Sequence, residues 1–132
     1  MLPKSNADAA PDARRLKILL VEDEVLIRMD AADSLRVEGW QVVEAGTAAD
    51  ALAILARSSF DVLLTDVRMP GDLSGLDLIR IVRLSNPDIK IAIKSGGHVP
   101  SGDFLADYDV FYPKPVFNLA FKVQKLIEME GL

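Results

Sequence analysis

From Lys17 onward, short apolar runs alternate with segments of helical period, and this alternation leaves few folds open. Lys17–Val21, Gln41–Ala45, Phe60–Thr65, Ile89–Lys94 and Val110–Tyr112 read as strands. Between the first two, Ile27, Ala31 and Leu35 recur every fourth residue behind Asp23 or Glu24, and Gly39 is placed as the C-cap. Thr47 is expected to cap a helix carrying Ala48, Ala51, Leu52 and Leu55. Ser74 is expected to cap one carrying Leu78, Ile79 and Val82, which stops before Asn86-Pro87. Asn118 is the expected cap of a last helix with Leu119, Val123, Leu126 and Ile127 on one stripe. Repeated strand–helix alternation predicts an α/β fold, a parallel sheet with helices on both faces.

Within that sheet the strands differ. Val62–Leu64 is continuously apolar, as a central strand covered on both faces requires. Ile89, Ile91 and Ile93 alternate with Lys90, Ala92 and Lys94, which predicts less symmetric burial for that strand. Pro113 suits an edge strand, because proline cannot donate to a further ladder. The segment Gly96–Asp109 holds Gly96, Gly97, Pro100 and Gly102, so a loop with at most a short helix over Phe104–Asp107 is expected there.

The chain has 132 residues, enough for one domain with a full core. Residues 1–15, rich in Ala, Asp and Pro, are expected to form a disordered tail before a single domain over 16–132, with no output domain attached. There is no cysteine, which excludes disulfides, thiolate metal sites and cysteine nucleophiles. A cytoplasmic location fits. No apolar stretch approaches the roughly 20 residues needed to span a bilayer, so no membrane partner is expected. Net charge is −5, from 15 basic and 20 acidic residues. The basic cluster Arg14, Arg15 and Lys17 reads as a solvated linker, so no direct nucleic-acid contact is expected.

Polar groups follow three of the strands: Glu22-Asp23, Asp66, and Lys114-Pro115. Strand ends of a parallel sheet share one edge, where such folds bind ligands. Three carboxylates gathered there repel one another unless a cation joins them. Carboxylate ligands with open positions suit Mg²⁺, which also favours phosphate oxygens. Asp66 ends the most apolar strand and is the best-placed nucleophile toward phosphorus. Lys114 and the Ser95 hydroxyl can contact the transferred oxygens, and Gly96 permits close backbone approach.

The pattern Ile18-Leu-Leu-Val-Glu22-Asp23-Glu24, Leu64-Thr-Asp66-Val-Arg-Met-Pro70, Ser95-Gly96 and Lys114-Pro115 resembles the receiver domain of two-component response regulators, in its stand-alone form. The resemblance covers about Leu16 to Leu132. It implies a flavodoxin-like doubly wound sheet of five strands in order 2-1-3-4-5. It implies that Asp66 accepts a phosphoryl group from a phosphohistidine on a kinase or a histidine phosphotransfer protein. Asp23 would ligate Mg²⁺ directly, Glu22 largely through water, and Asp66 with the backbone carbonyl of Arg68 would complete the protein ligands. Ser95 matches the switch Ser/Thr, Phe111 the switch aromatic, and Lys114-Pro115 the family's cis peptide. Such a domain is not an enzyme beyond its own phosphorylation and dephosphorylation.

Two spacings depart from the pattern. Gly75 follows Asp66 by nine residues, one more than is usual, in a loop that Gly71 and Gly75 make tolerable. Ser95 to Lys114 spans 19 positions, short by about one helical turn of ~3.6 residues. The helix between the fourth and fifth strands should therefore be short or irregular, and the output surface rebuilt. His98 reads as an exposed structural histidine rather than a phosphoryl relay or metal ligand. Arg68 reads equally as a tuner of phosphoryl lifetime or a solvated side chain. Leu26 and Met29 are candidates for kinase contact, and an outward Phe121 for a partner or homodimer face. Competing functions are a phosphate sink or phosphorelay intermediate, a binding module indifferent to phosphorylation, and an aspartyl phosphatase. The last lacks the second Asp such enzymes use, since Arg68 stands there. Neither a P-loop nor a GxGxxG pattern occurs.

Overall fold

The computed structural model describes residues 15–97 and 107–129. The elements in chain order are β1 (Lys17–Val21), α1 (Val25–Arg36), β2 (Gln41–Ala45), α2 (Ala48–Leu55), β3 (Val62–Asp66), α3 (Gly75–Ser85), β4 (Lys90–Ser95), β5 (Val110–Pro113) and α4 (Leu119–Glu128). The five strands form one sheet in order β2-β1-β3-β4-β5, and every pairing is parallel. Pro113 lies on edge strand β5, where its missing N–H costs no ladder bond. The expected tail apart from Arg15, the helix expected over Phe104–Asp107 apart from Asp107, and His98 fall on residues outside those described.

Successive strand side chains point to opposite faces, so each strand feeds two cores. Ile18, Leu20, Val62 and Leu64 pack with Ala31, Ala32 and Leu35 of α1 and Val123 and Leu126 of α4. Leu19, Val21, Leu63, Ile91 and Ile93 pack with Ala48 and Ala51 of α2 and Leu78, Ile79 and Val82 of α3. β3 is buried at all of its positions, as its continuous apolar run predicts. So is β4, contrary to expectation, and its burial includes Lys90 and Lys94. The isoleucines face α2 and α3, while the two lysines share the α1/α4 side with Ala92. Ile27, placed on the α1 stripe, is exposed, because α1 turns only Ala31, Ala32 and Leu35 into the core.

Caps fix where the helices begin. Thr47 Oγ1 accepts from the Asp50 N–H at 3.0 Å. Ser74 and Asp77 form a reciprocal capping box, with bonds of 3.2 and 2.9 Å. Asn118 precedes α4 in a left-handed conformation, φ 55°, and its side chain makes no capping bond there. Gly39 lies beyond the C-cap Val37 of α1, and its φ of +90° is a turn conformation that suits glycine.

Gly75 ties α3 to the end of β3. A Cβ there would lie 1.8 Å from the carbonyl oxygen of Asp66, which no adjustment of a side chain can relieve. Its own N–H donates to the Val67 carbonyl at 2.8 Å. Gly75→Ala should therefore cost about 1–3 kcal/mol in urea unfolding and shift the Asp66 and Val67 amide resonances. Ser74→Ala, which removes only a cap, should cost about 1 kcal/mol and leave those resonances in place. Equal perturbation by both variants would contradict the close-approach account.

Candidate phosphoacceptor site

The parallel register brings the charged groups to one edge. Val21 is level with Thr65, which puts Glu22 beside Asp66, and Asp66 is level with Lys94. Backbone bonds continue each ladder past its strand. Glu22 N–H donates to Ala45 O at 3.0 Å, Val67 N–H to Lys94 O at 3.0 Å, and Lys114 N–H to Ser95 O at 2.9 Å. The strand ends are thus fixed by backbone, and the functional side chains inherit that rigidity. The Lys114–Pro115 peptide is cis.

Glu22, Asp23 and Asp66 each offer an oxygen within 4.8 Å of the others. Glu22 and Asp66 are 0% and 1% exposed, while Asp23 is open to solvent. Lys114 Nζ lies 3.0 Å from Asp66 Oδ1 and 3.9 Å from Glu22 Oε1. Lys94 Nζ lies 3.3 Å from Glu22 Oε1 and 3.7 Å from Asp66 Oδ1. The Glu24 N–H donates to Glu22 Oε2 at 3.1 Å. Among the described residues, the buried side-chain polar atoms without an aligned hydrogen bond are the two carboxylate oxygens of Asp66. Such a group is costly unless something charged binds it. An all-oxygen donor set around a buried carboxylate that ammonium groups approach without an aligned hydrogen bond fits a hard divalent cation such as Mg²⁺.

Burial, and next the Glu22 carboxyl beside it, raise the Asp66 carboxyl to about 7. Burial also opposes ionisation of Glu22, but neighbouring Asp66, the Glu24 N–H and the two lysines together hold it below the usual carboxylate range. Lys114 loses hydration by burial, yet Asp66 and Glu22 hold its ammonium above the ordinary lysine range.

The remaining site candidates surround this pair. Ser95, Arg68, Gly96 and Gly97 line, with the two lysines, a cavity of about 360 Å³. The Ser95 hydroxyl accepts from Gly97 N–H at 3.0 Å. Arg68 is exposed at this mouth. Phe111, level with Ile93, packs half-buried against the α2/α3 core. Sequence reasoning misses Lys94, whose alternation with isoleucines resembles a half-exposed strand. Its only signal is position, one residue before Ser95 and level with Asp66 once the strands are aligned.

Residues 18–105 match the family model of the response regulator receiver domain, and the chain belongs to that family. It is similar to the probable transcriptional regulatory protein TcrX of Mycobacterium tuberculosis, with 34% identity covering 92% of this chain and 53% of the relative. It is also similar to the sensor kinase CckA of Brucella abortus, with 31% identity covering 98% of this chain and 16% of that protein. The chain thus spans about half, or less, of the length of these curated relatives. The response regulator TrrA of Thermotoga maritima, solved in complex with Mg(2+)-BeF, superposes with a TM-score of 0.76 at 31% identity, over 84% of this chain and 98% of that one. A CheY-like receiver domain protein of Methanospirillum hungatei superposes with a TM-score of 0.76 at 28% identity, over 87% and 93%. No described helix is long and apolar enough to cross a membrane.

The buried Asp66 carboxyl makes metal-free stability depend on pH. Its pKa of about 7 in the fold exceeds the unfolded value of about 3.9. Between these values the native state binds more protons than the unfolded state, so stability falls as pH rises from about 4 toward 7. Thermal melts in EDTA should show it, Mg²⁺ should reduce it, and Asp66→Asn should melt several degrees higher than wild type at pH 8. A metal-free stability that rises over this interval would contradict the burial account.

Proposed function

We propose that this protein is the phosphoacceptor of a two-component signalling pathway, with Asp66 as the residue modified. The observation that carries this reading is Asp66 itself, buried, without an aligned hydrogen bond and flanked by two acids and two ammoniums. A carboxylate oxygen of Asp66 forms a bond to phosphorus as the P–N bond of a phosphohistidine breaks, and the bonding pair leaves on the imidazole nitrogen. Asp23, Glu22, Asp66 and the Arg68 carbonyl would hold Mg²⁺, which supplies charge neutralisation for the transferred oxygens. Lys114, already 3.0 Å from Asp66, supplies a point charge to the phosphoryl group.

The switch follows from charge. A phosphoryl dianion on Asp66 attracts the Ser95 hydroxyl away from the Gly97 N–H. Ser95 movement opens space toward which Phe111 rotates, and the β4–β5 surface changes shape. The bound group shifts a population between two packings. Catalysis is confined to the protein's own phosphorylation and dephosphorylation, residues 16–132 act as one receiver unit, and cytoplasmic operation fits this role.

The donor is a histidine kinase or histidine phosphotransfer protein, docking beside the site. Leu26, Ile27 and Met29 of α1 are exposed next to it. A groove of about 760 Å³ runs between α1 and α4 to Lys114, with Ile27, Val116, Leu119 and Phe121 in its lining. Protein docking surfaces combine such apolar centres with polar rims.

Incubation with a small phosphoryl donor and Mg²⁺ should add one phosphoryl group to the intact mass, and Asp66→Asn should add none. Equal mass gain by the variant would overturn the assignment. Leu26→Asp should lower the rate of transfer from a cognate phosphohistidine protein at least tenfold while modification by the small donor stays near wild type. Parallel loss with both donors would place the defect in the site rather than in docking.

A further inference from the structure

Lys94 has no part in the chemistry just described, yet it sits inside the site. It is 3% exposed, projects from β4 on the α1/α4 side, and is level with Asp66 across the β3–β4 ladder. Burying an ammonium is unfavourable unless carboxylates surround it. Here the carboxylates are Glu22 at 3.3 Å and Asp66 at 3.7 Å. Lys114 shows the opposite preference, 3.0 Å from Asp66 and 3.9 Å from Glu22, and is one-third exposed. The two lysines therefore bracket the buried acids, one assigned mainly to each. Lys114 can swing toward solvent with an incoming group, whereas Lys94 is enclosed.

We propose that Lys94 is a tethered counter-cation of the acidic pocket, holding Glu22 and Asp66 together without a metal and competing with the divalent ion for their charge. The inference rests on the phosphoacceptor reading. With all three carboxylates ionised, as when a cation binds them, they and the two ammoniums carry one net negative charge, and without Lys94 they carry two. Lys94 thus lowers repulsion in the metal-free pocket. The same fixed charge opposes entry of a second cation at short range, where protein surroundings screen weakly. Lys94 is a positioning residue in this account, because it acts through the acids.

Mg²⁺ titration by calorimetry of the full-length wild type, Lys94→Met and Lys94→Arg tests this. Lys94→Met should bind Mg²⁺ at least about tenfold more tightly, melt lower than wild type in EDTA, and gain more on Mg²⁺ addition. Lys94→Arg, keeping the charge, should stay near wild type. A folded Lys94→Met with unchanged or weaker affinity overturns the proposal. Should that variant not fold, the Lys94 ammonium resonance of ¹⁵N-lysine wild type, assigned by its absence in Lys94→Arg, provides the readout. It should move on Mg²⁺ addition, and a stationary signal overturns the proposal. Mg²⁺ binding by Lys94→Met alone would support competition in its strongest form. No binding by either protein would overturn both this inference and the phosphoacceptor reading, whereas equal binding by the two overturns this inference alone.

Discussion

The Asp66 carboxyl group organises the molecule. It closes β3, a central strand buried on both faces, and both its oxygens lack an aligned hydrogen bond. An ionised group in that position is tolerable only if other charges are held near it without collapsing onto it. The fold meets this need through register rather than through loops. Glu22, Asp66 and Lys94 stand in one row across β1, β3 and β4, and Lys114 follows from β5. Backbone bonds fix that row on both flanks, so rearranging the charges would require breaking ladder hydrogen bonds. The site is therefore as rigid as the sheet beneath it, and ready to receive charge from outside.

Rigidity at the sheet edge depends on the packing that holds β3 against α3. Gly75 lets the start of α3 touch the Asp66 carbonyl, and the Ser74–Asp77 box fixes where that helix begins. Farther along, Arg83 donates to the carbonyls of Pro87 and Ile89, each at 2.9 Å, and pairs with Asp109 at 2.9 Å. Asp109 also accepts from the Ile91 N–H at 2.7 Å. These bonds join α3, β4 and the entry to β5 into one block. A change of charge at Asp66 thus meets a firm floor on the α3 side, while Ser95 and Phe111, the proposed switch residues, lie on the far strands β4 and β5.

Much of this is legible in the sequence, for identifiable reasons. Strand–helix alternation predicts the sheet, and the polar residues after three apolar runs predict its functional edge. Thr47 and Ser74 are readable as caps because their bonds are local, made to residues three positions on. Asn118 misleads because residue type suggests a cap but says nothing of backbone, and here the backbone is left-handed. Ile27 misleads because period-four spacing does not reveal that α1 meets the sheet only through its later turns. Lys94 misleads for the deepest reason. A lysine alternating with isoleucine denotes a wet face unless its partners are known, and those partners are Glu22, 72 residues away, and Asp66 on the neighbouring strand.

The burial of Lys94 bears on how charge is distributed in the site. A lysine on a solvent-facing strand position adds solubility and little else. The same lysine enclosed beside two carboxylates changes the pocket's net charge, and every later arrival must contend with it. A divalent ion entering this pocket encounters Glu22 and Asp66 already paired with ammonium groups, whereas Asp23 is open to solvent. Positive charge lies on both sides of Asp66, Lys114 at the mouth and Lys94 beneath. The resting charge of the pocket is then set by one side chain on β4 as well as by the acids that define the site.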